Sequence, residues 1–152
     1  SGASLTGLTS AQMPTGSVLQ VIRAEITNGP EVATDTYTDI GLQATITPIS
    51  TSSKILAQWS IHCRTQYVTE TGYGNRILRG STSVWSTATN FFIFNTHNRE
   101  SNRTSYSYSY LDSPSTTSAT IYKIQVSSKD SRALEISDNG NQCTIILMEI
   151  AG

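Results

Sequence analysis

An all-β fold is what this sequence predicts, and three observations predict it. Apolar and polar residues alternate through run after run, most cleanly where Ile55, Ala57, Trp59, Ile61 and Cys63 face one way and Lys54, Gln58, Ser60, His62 and Arg64 the other. Turn formers punctuate the runs, among them Asn28-Gly29-Pro30 and Asp138-Asn139-Gly140. No window carries apolar residues at helical spacing between helix caps.

The elements follow in chain order. Residues 1–16 (SGASLTGLTSAQMPTG) are small, polar and glycine-punctuated, which predicts a linker or the end of a stalk. From Ser17 the texture changes, and residues 17–152 form the head domain. Val18, Leu19, Val21 and Ile22 make a first strand that is apolar on both faces and is expected beside the last one. Leu42, Ala44 and Ile46 alternate with Gln43, Thr45 and Thr47 until Pro48 ends a half-buried strand. Lys54 to Arg64 is the next, with only Leu56 breaking the alternation. Further strands are predicted over Asn75 to Arg79, with a continuation past Gly80 to Trp85 left open, then Phe91 to Asn95, Ser105 to Leu111, Ala119 to Ser127 and Ala133 to Ile136. Asp138-Asn139-Gly140 reads as a hairpin before the closing strand. Short strands with turn-rich connections, and no repeat of 20 to 50 residues, predict an antiparallel β-sandwich of jelly-roll type.

The closing strand, Cys143 to Ile150 (CTIILMEI), carries the strongest message. Cys143, Ile145 and Leu147 project to one side, and Thr144, Ile146, Met148 and Ile150 to the other. A sandwich strand covers one face with the core and leaves the other in water, so the second apolar face predicts neighbouring subunits. Ile146, Met148 and Ile150 are the expected subunit-interface residues.

Composition narrows the function. The chain has 152 residues, 37% hydrophobic and 14% charged, with a formal net charge of −1. One domain is expected. The absence of a basic excess argues against nucleic-acid binding, and no apolar run reaches the ~18 residues that would predict membrane insertion. No charged start with an apolar stretch marks a signal peptide. The chain opens Ser1-Gly2-Ala3-Ser4 without an initiator Met, and a C-terminal fragment of something longer is expected. Cys63 and Cys143 lie far apart, outside any CxxC pair, and read as two buried small residues, with a disulfide left open.

Catalytic chemistry finds little footing. There is no HExxH, GxSxG, glycine-rich phosphate loop or calcium-loop pattern, so no enzyme, cofactor or metal is expected. His62 falls on the polar face of its strand and reads as a hydrogen-bonded histidine; His97 has no partner at recognisable spacing. Asn102-Arg103-Thr104 matches an N-glycosylation acceptor, a pattern that is common by chance. Ser105 to Tyr110 places three tyrosines on one face and three serines on the other. That arrangement suits a packing ladder and also suits an adaptable binding surface.

Several phrases then become familiar in order: Ala11 to Val21 (AQMPTGSVLQV), Tyr37 to Pro48 (YTDIGLQATITP), Ser52 to Leu56 (SSKIL), Leu78 to Ser81 (LRGS), Leu111 to Pro114 (LDSP), Thr120 to Lys123 (TIYK) and Leu147 to Ile150 (LMEI). Together they resemble the C-terminal domains of bacteriophage tail fibres and related virion proteins, particularly from marine and cyanobacterial phages. The resemblance implies a homotrimeric head, in the virion and outside the cell, whose distal end touches the host. The phrases mark strands and turns; the stretches Thr65 to Gly74 and Asn95 to Arg103 depart from them.

If the stalk enters at one end and strands alternate in direction, the loops near residues 26–34, 66–74, 96–104 and 128–132 lie at the far end. The receptor-binding candidates there are Asn28, Glu31, Glu70, Tyr73, His97, Arg99, Glu100, Asn102, Arg103, Lys129, Asp130 and Arg132. The stalk-side connections, Ile49 to Ser53, Asp112 to Ser118 and Ser137 to Gln142, are nearly all Ser, Thr, Asn and Asp. The leading expectation is therefore a non-enzymatic, trimeric fibre head that recognises a host cell-surface glycan or protein. A purely structural virion module, a trimerisation knob or a decoration protein, is the alternative. A secreted eukaryotic trimer of the complement or tumour-necrosis-factor type shares the architecture but lacks the phrases.

Overall fold

The computed structural model describes residues 13–65, 70–87, 92–95 and 101–152. Its strands are β1 (Val18–Ile26), β2 (Glu31–Val32), β3 (Thr38–Ile46), β4 (Lys54–Thr65), β5 (Glu70–Arg79), β6 (Thr82–Ser86), β7 (Phe92–Asn95), β8 (Asn102–Asp112), β9 (Thr120–Ser128), β10 (Leu134–Ile136) and β11 (Cys143–Ile150). Among the described residues every pairing is antiparallel. In the first sheet β1 pairs β11, β2 pairs β10, both β10 and β11 pair β4, and β4 pairs β8. In the second, β3 pairs β9, β9 pairs β5, and β6 and β7 lie in turn along β5. Each sheet is thus four strands wide, and the chain changes sheet at every connection except the β5–β6 hairpin and those between segments of one interrupted strand.

The alternation of the sequence becomes the two facing surfaces of the core. Ile55, Ala57, Trp59, Ile61 and Cys63 of β4 and Ile145 and Leu147 of β11 meet Leu42, Ala44 and Ile46 of β3, Tyr122, Ile124 and Val126 of β9 and Ile77 of β5, all buried. Trp59 sits among aromatics, its ring centroid 5.4 Å from Trp85 and 5.7 Å from Tyr108. Its indole Nε1 donates to Asn75 Oδ1 at 3.1 Å, so the polar edge of the ring is satisfied inside the core. Tyr106, Tyr108 and Tyr110 pack against this core and the serines between them face water. The tyrosine row is a packing ladder.

Other expectations need correction. The strand from Asn75 ends at Arg79, where Gly80 at φ 60° turns the chain into β6. Ser137 to Gln142 is neither a hairpin nor a stalk-side connection. Ile136 lies opposite Cys63 and Thr144 opposite Ser60, so β10 and β11 run in the same direction along β4 as one interrupted strand. The intervening turn takes Ser137 and Asn139 through the left-handed region, and the Ser137 N–H donates to the His62 carbonyl at 2.8 Å. Of the expected linker, residues 1–12 lie outside the described residues. Gly16 already belongs to the head, its N–H donating to the Ala151 carbonyl at 2.8 Å.

Gly74 is held by packing. A Cβ there would lie 2.8 Å from Ser127 Oγ and 2.9 Å from Tyr37 Oη. Tyr37 crosses this spot on the outer side of the second sheet, donating to the Thr87 carbonyl at 2.9 Å beneath the Arg76 guanidinium, 4.5 Å from its ring centroid. The G74A variant gains ~0.5–1 kcal/mol from a less flexible unfolded chain but forces Tyr37 or Ser127 aside at ~1–3 kcal/mol. Net destabilisation is expected, read as a lower urea midpoint; a raised midpoint would refute it.

Candidate functional site

The outer faces of the two sheets differ in kind. On the second, Asp39 accepts from Lys123 Nζ at 3.0 Å and Gln125 Nε2 at 2.6 Å, and Arg76 Nε donates to Gln125 Oε1 at 2.6 Å. Burial opposes ionisation of Asp39, but the hydrogen bonds from Gln125 and Lys123 outweigh it and hold the carboxyl below its ordinary value. This is a solvated polar ladder.

On the first sheet the register lines up Val21 with Met148, Met148 with Leu56, and Leu56 with Leu111. Since Ile22, Ala24 and Ile26 turn to the core, Val21 points outward, and the same parity carries across all four strands. The result is an apolar row about 15 Å long, three gaps of roughly 4.8 Å. Val21 is 56% exposed and Leu111 49%. Val18 opposite Ile150 extends the row toward the chain ends, and Ile146 extends it the other way. Leu56, the one break in the alternation of β4, is the residue that makes the row continuous. Beyond it Gln58, Ser60, Ser107, Ser109 and Thr144 line a shallow recess of about 450 Å³ beside Ile146.

Farther along the same face comes charge. Arg64 holds Glu135 through Nε at 2.9 Å and Nη2 at 2.6 Å, and Arg103 Nε donates to Asp138 Oδ2 at 2.5 Å. The Arg103 bond keeps the Asp138 carboxyl below its ordinary value, with Arg64 adding to the effect. His62 Nδ1 lies 3.0 Å from Ser105 Oγ, a hydrogen-bonded histidine on the polar side of its strand.

The described loop candidates fall at one end. β4 finishes at Thr65 opposite Asn102, and Leu134 lies opposite both Thr65 and Val32. Asn28, Glu31, Asn102, Arg103 and Arg132 are exposed there and Lys129 is half-buried. Arg103 is already engaged with Asp138. Glu70 opens β5 opposite Asn95, and Asp130 sits in the 3-10 turn Lys129–Ser131. His97, Arg99 and Glu100 lie outside the described residues. Tyr73 is a correction: it is a core residue of β5, 0% exposed, its hydroxyl 2.8 Å from that of Tyr108, and it presents nothing to a ligand.

The opposite end holds two buried carboxylates that no motif announced. Glu149, 0% exposed, accepts from Gln20 Nε2 at 2.5 Å and from the Ile49 N–H at 2.7 Å. Asp112 takes Arg79 Nη1 on both oxygens, at 3.0 and 2.9 Å, and the Tyr122 hydroxyl at 2.6 Å. Each ties separate elements together, β11 to β1 and the β3–β4 connection in one case and β8 to β5 and β9 in the other. Their partners are protein groups, which marks them as structural pins.

Cys63 and Cys143 are free and buried. Burial, with Cys143 nearby, pushes the Cys63 thiol up to about 12, so it stays protonated and inert. Among the described residues no group of three or more His, Cys, Asp or Glu is placed to hold a metal, and no helix is long and apolar enough to cross a membrane.

No protein-family model matches the chain, and no curated protein does. Among solved structures it is similar to a chain of the T13 IBDV viral particle, at 12% identity with a TM-score of 0.49, over 88% of this chain and 36% of that one. It is also similar to dimeric latent PorU from Porphyromonas gingivalis, at 8% identity with a TM-score of 0.39, over 95% of this chain and 14% of that one. The chain spans a minor part of each, and likeness this distant carries no inference about what the chain does.

Proposed function

We propose that this chain is the non-enzymatic head of a virion fibre, a jelly roll that assembles as a homotrimer and meets a host-surface glycan or protein with its far end. The strand order supports the jelly roll: β1/β2, β10/β11, β4, β8 in one sheet and β3, β9, β5, β6/β7 in the other, with the chain crossing between them. The observation that carries the assembly is the row Val21, Met148, Leu56 and Leu111, an apolar stripe running unbroken across all four strands of one outer face, where the other outer face carries the ladder of Asp39, Lys123, Gln125 and Arg76 with Ile121 as its exposed apolar residue. Water is a poor partner for such a stripe, and further copies of the chain are the occupant it fits. Three copies on one rigid head multiply weak contacts with a cell surface, so each distal site needs little affinity of its own.

Light scattering on the purified head tests the assembly. A mass of three times 16.5 kDa is expected, and a lone protomer at micromolar concentration overturns it. A second reading, a structural virion module without a receptor site, is favoured by Arg64 and Arg103, which are committed to Glu135 and Asp138. Adsorption separates the two. Excess purified head is expected to block attachment of virions to host cells; unimpeded attachment by a trimeric head would favour the structural module.

A further inference from the structure

We propose that Asn139-Gly140 is a site of spontaneous backbone modification, where the side-chain amide of Asn139 is lost to water and the turn between β10 and β11 is altered. The chain contains two Asn-Gly dipeptides, Asn28-Gly29 and Asn139-Gly140, and the fold treats them oppositely. At the first, a Cβ on Gly29 would fall 2.7 Å from Ile136 Cγ2, so the glycine backbone is pressed against a buried side chain. The next carbonyl, of Pro30, accepts from the Ile136 N–H at 3.1 Å. At the second, Asn139 and Gly140 are both exposed and a Cβ on Gly140 would meet nothing within 4 Å.

The chemistry needs only that freedom and water. The backbone nitrogen of Gly140 attacks Cγ of Asn139; the new N–Cγ bond forms as the Cγ–Nδ2 bond breaks, and the side-chain nitrogen leaves as ammonia with the proton given up by the peptide nitrogen. Water then opens the five-membered imide at either carbonyl, leaving aspartate or isoaspartate at position 139. Glycine on the C-terminal side is what lets the nitrogen approach, because it has no Cβ to block the path. The peptide must rotate from the ψ of 34° that Asn139 holds, and Gly140 is exposed with open space where a Cβ would stand, so only the turn's own hydrogen bonds to the Asp138 carbonyl oppose that rotation. Gly29 cannot move in the same way without displacing Ile136.

The consequence is local and directional. The reaction adds a negative charge beside Asp138, and the isoaspartate product lengthens the backbone by one carbon within a turn that the Asn141 N–H and Nδ2 close onto the Asp138 carbonyl at 3.2 and 2.8 Å. Asp138 is the residue that anchors Arg103 and touches Arg64. Ageing of the chain at Asn139 therefore loosens the tie between the β10–β11 turn and the neighbouring strands β4 and β8.

Incubation of the folded protein at mildly alkaline pH, followed by peptide mapping with mass spectrometry, tests this. The Asn139 peptide is expected to gain one mass unit and split into two chromatographic species. The Asn28 peptide should react about tenfold more slowly, the factor that ~1.4 kcal/mol of restraint produces. In urea both should convert. An intact Asn139 peptide from the folded protein, or equal rates at the two sites while folded, overturns the proposal. So does an Asn28 peptide that stays intact in urea, since packing against Ile136 would then not be what protects it. The comparison lies within one unmodified chain and needs no variant to fold.

Discussion

Replacing Glu149 with alanine is expected to destabilise the head by about 3 kcal/mol, read as a fall in the urea midpoint at neutral pH. The carboxylate is fully buried and both its oxygens are in use, one receiving Gln20 and the other the Ile49 N–H. Its removal leaves a backbone donor and one amide hydrogen without partners in a dry site, and each such orphan costs about 1–3 kcal/mol. Gln20 keeps its bond to the Thr47 carbonyl at 2.8 Å, which limits the loss. The E149Q variant keeps one acceptor oxygen but turns an amide donor toward Gln20, and a smaller loss is expected. An unchanged midpoint for E149A would show that water replaces the carboxylate at no cost.

The same residue gives stability a pH dependence whose sign can be fixed. Burial alone would raise the Glu149 carboxyl, but hydrogen bonds from Gln20 and the Ile49 N–H prevail and hold it below its ordinary 4.5. A carboxyl with a lower pKa folded than unfolded adds stability that is complete above the unfolded value and disappears as pH falls through the folded one. The head is therefore expected to weaken below about pH 4.5, and E149Q to show a shallower acid limb. Asp39 and Asp138, both lowered, leave a residual slope in the variant. Acid limbs of equal slope in the two proteins would remove Glu149 from the explanation.

Much of this architecture was legible because strand parity is a local property. Alternation located β3, β4, β8, β9 and β11 and assigned the inward faces of β4 and β11 correctly, since burial follows side-chain direction two residues at a time. What depends on pairing partners could not be read. Asp138-Asn139-Gly140 signals a turn whether the chain reverses or merely detours, and only the shared partner β4 makes β10 and β11 collinear. Tyr73 sits between Gly72 and Gly74 and reads from the sequence as a loop residue, because glycine usually punctuates strands. Here Gly74 makes room for Tyr37, a contact from 37 positions away in sequence that leaves no local trace. Glu149 has the inward parity of Leu147, yet nothing nearby reveals that Gln20 and Ile49, from elsewhere in the chain, would satisfy it. Leu56 stands out in the sequence as the apolar residue on the polar face of its strand, but that it completes a row with Met148 and Leu111 depends on the pairing of β4 with β11 and β8.

Met148→Arg is the second change of large expected effect, and it acts on assembly alone. Met148 lies between Val21 and Leu56 at the centre of the apolar row, pointing away from the core. In a lone protomer an arginine there reaches solvent over the Ser and Thr recess and leaves the fold intact. In the proposed trimer it is an unpaired charge sealed between subunits, costing about 3–5 kcal/mol. Association should weaken by roughly a hundredfold or more, at ~1.4 kcal/mol per factor of ten, shifting the mass by light scattering from trimer to protomer while the urea midpoint of the protomer stays unchanged. Gln43→Arg, on the exposed outer side of β3 in the second sheet, adds the same charge and should leave the trimer whole. Loss of the trimer in both variants would point to net charge. Its persistence with Met148→Arg would move the interface off this face.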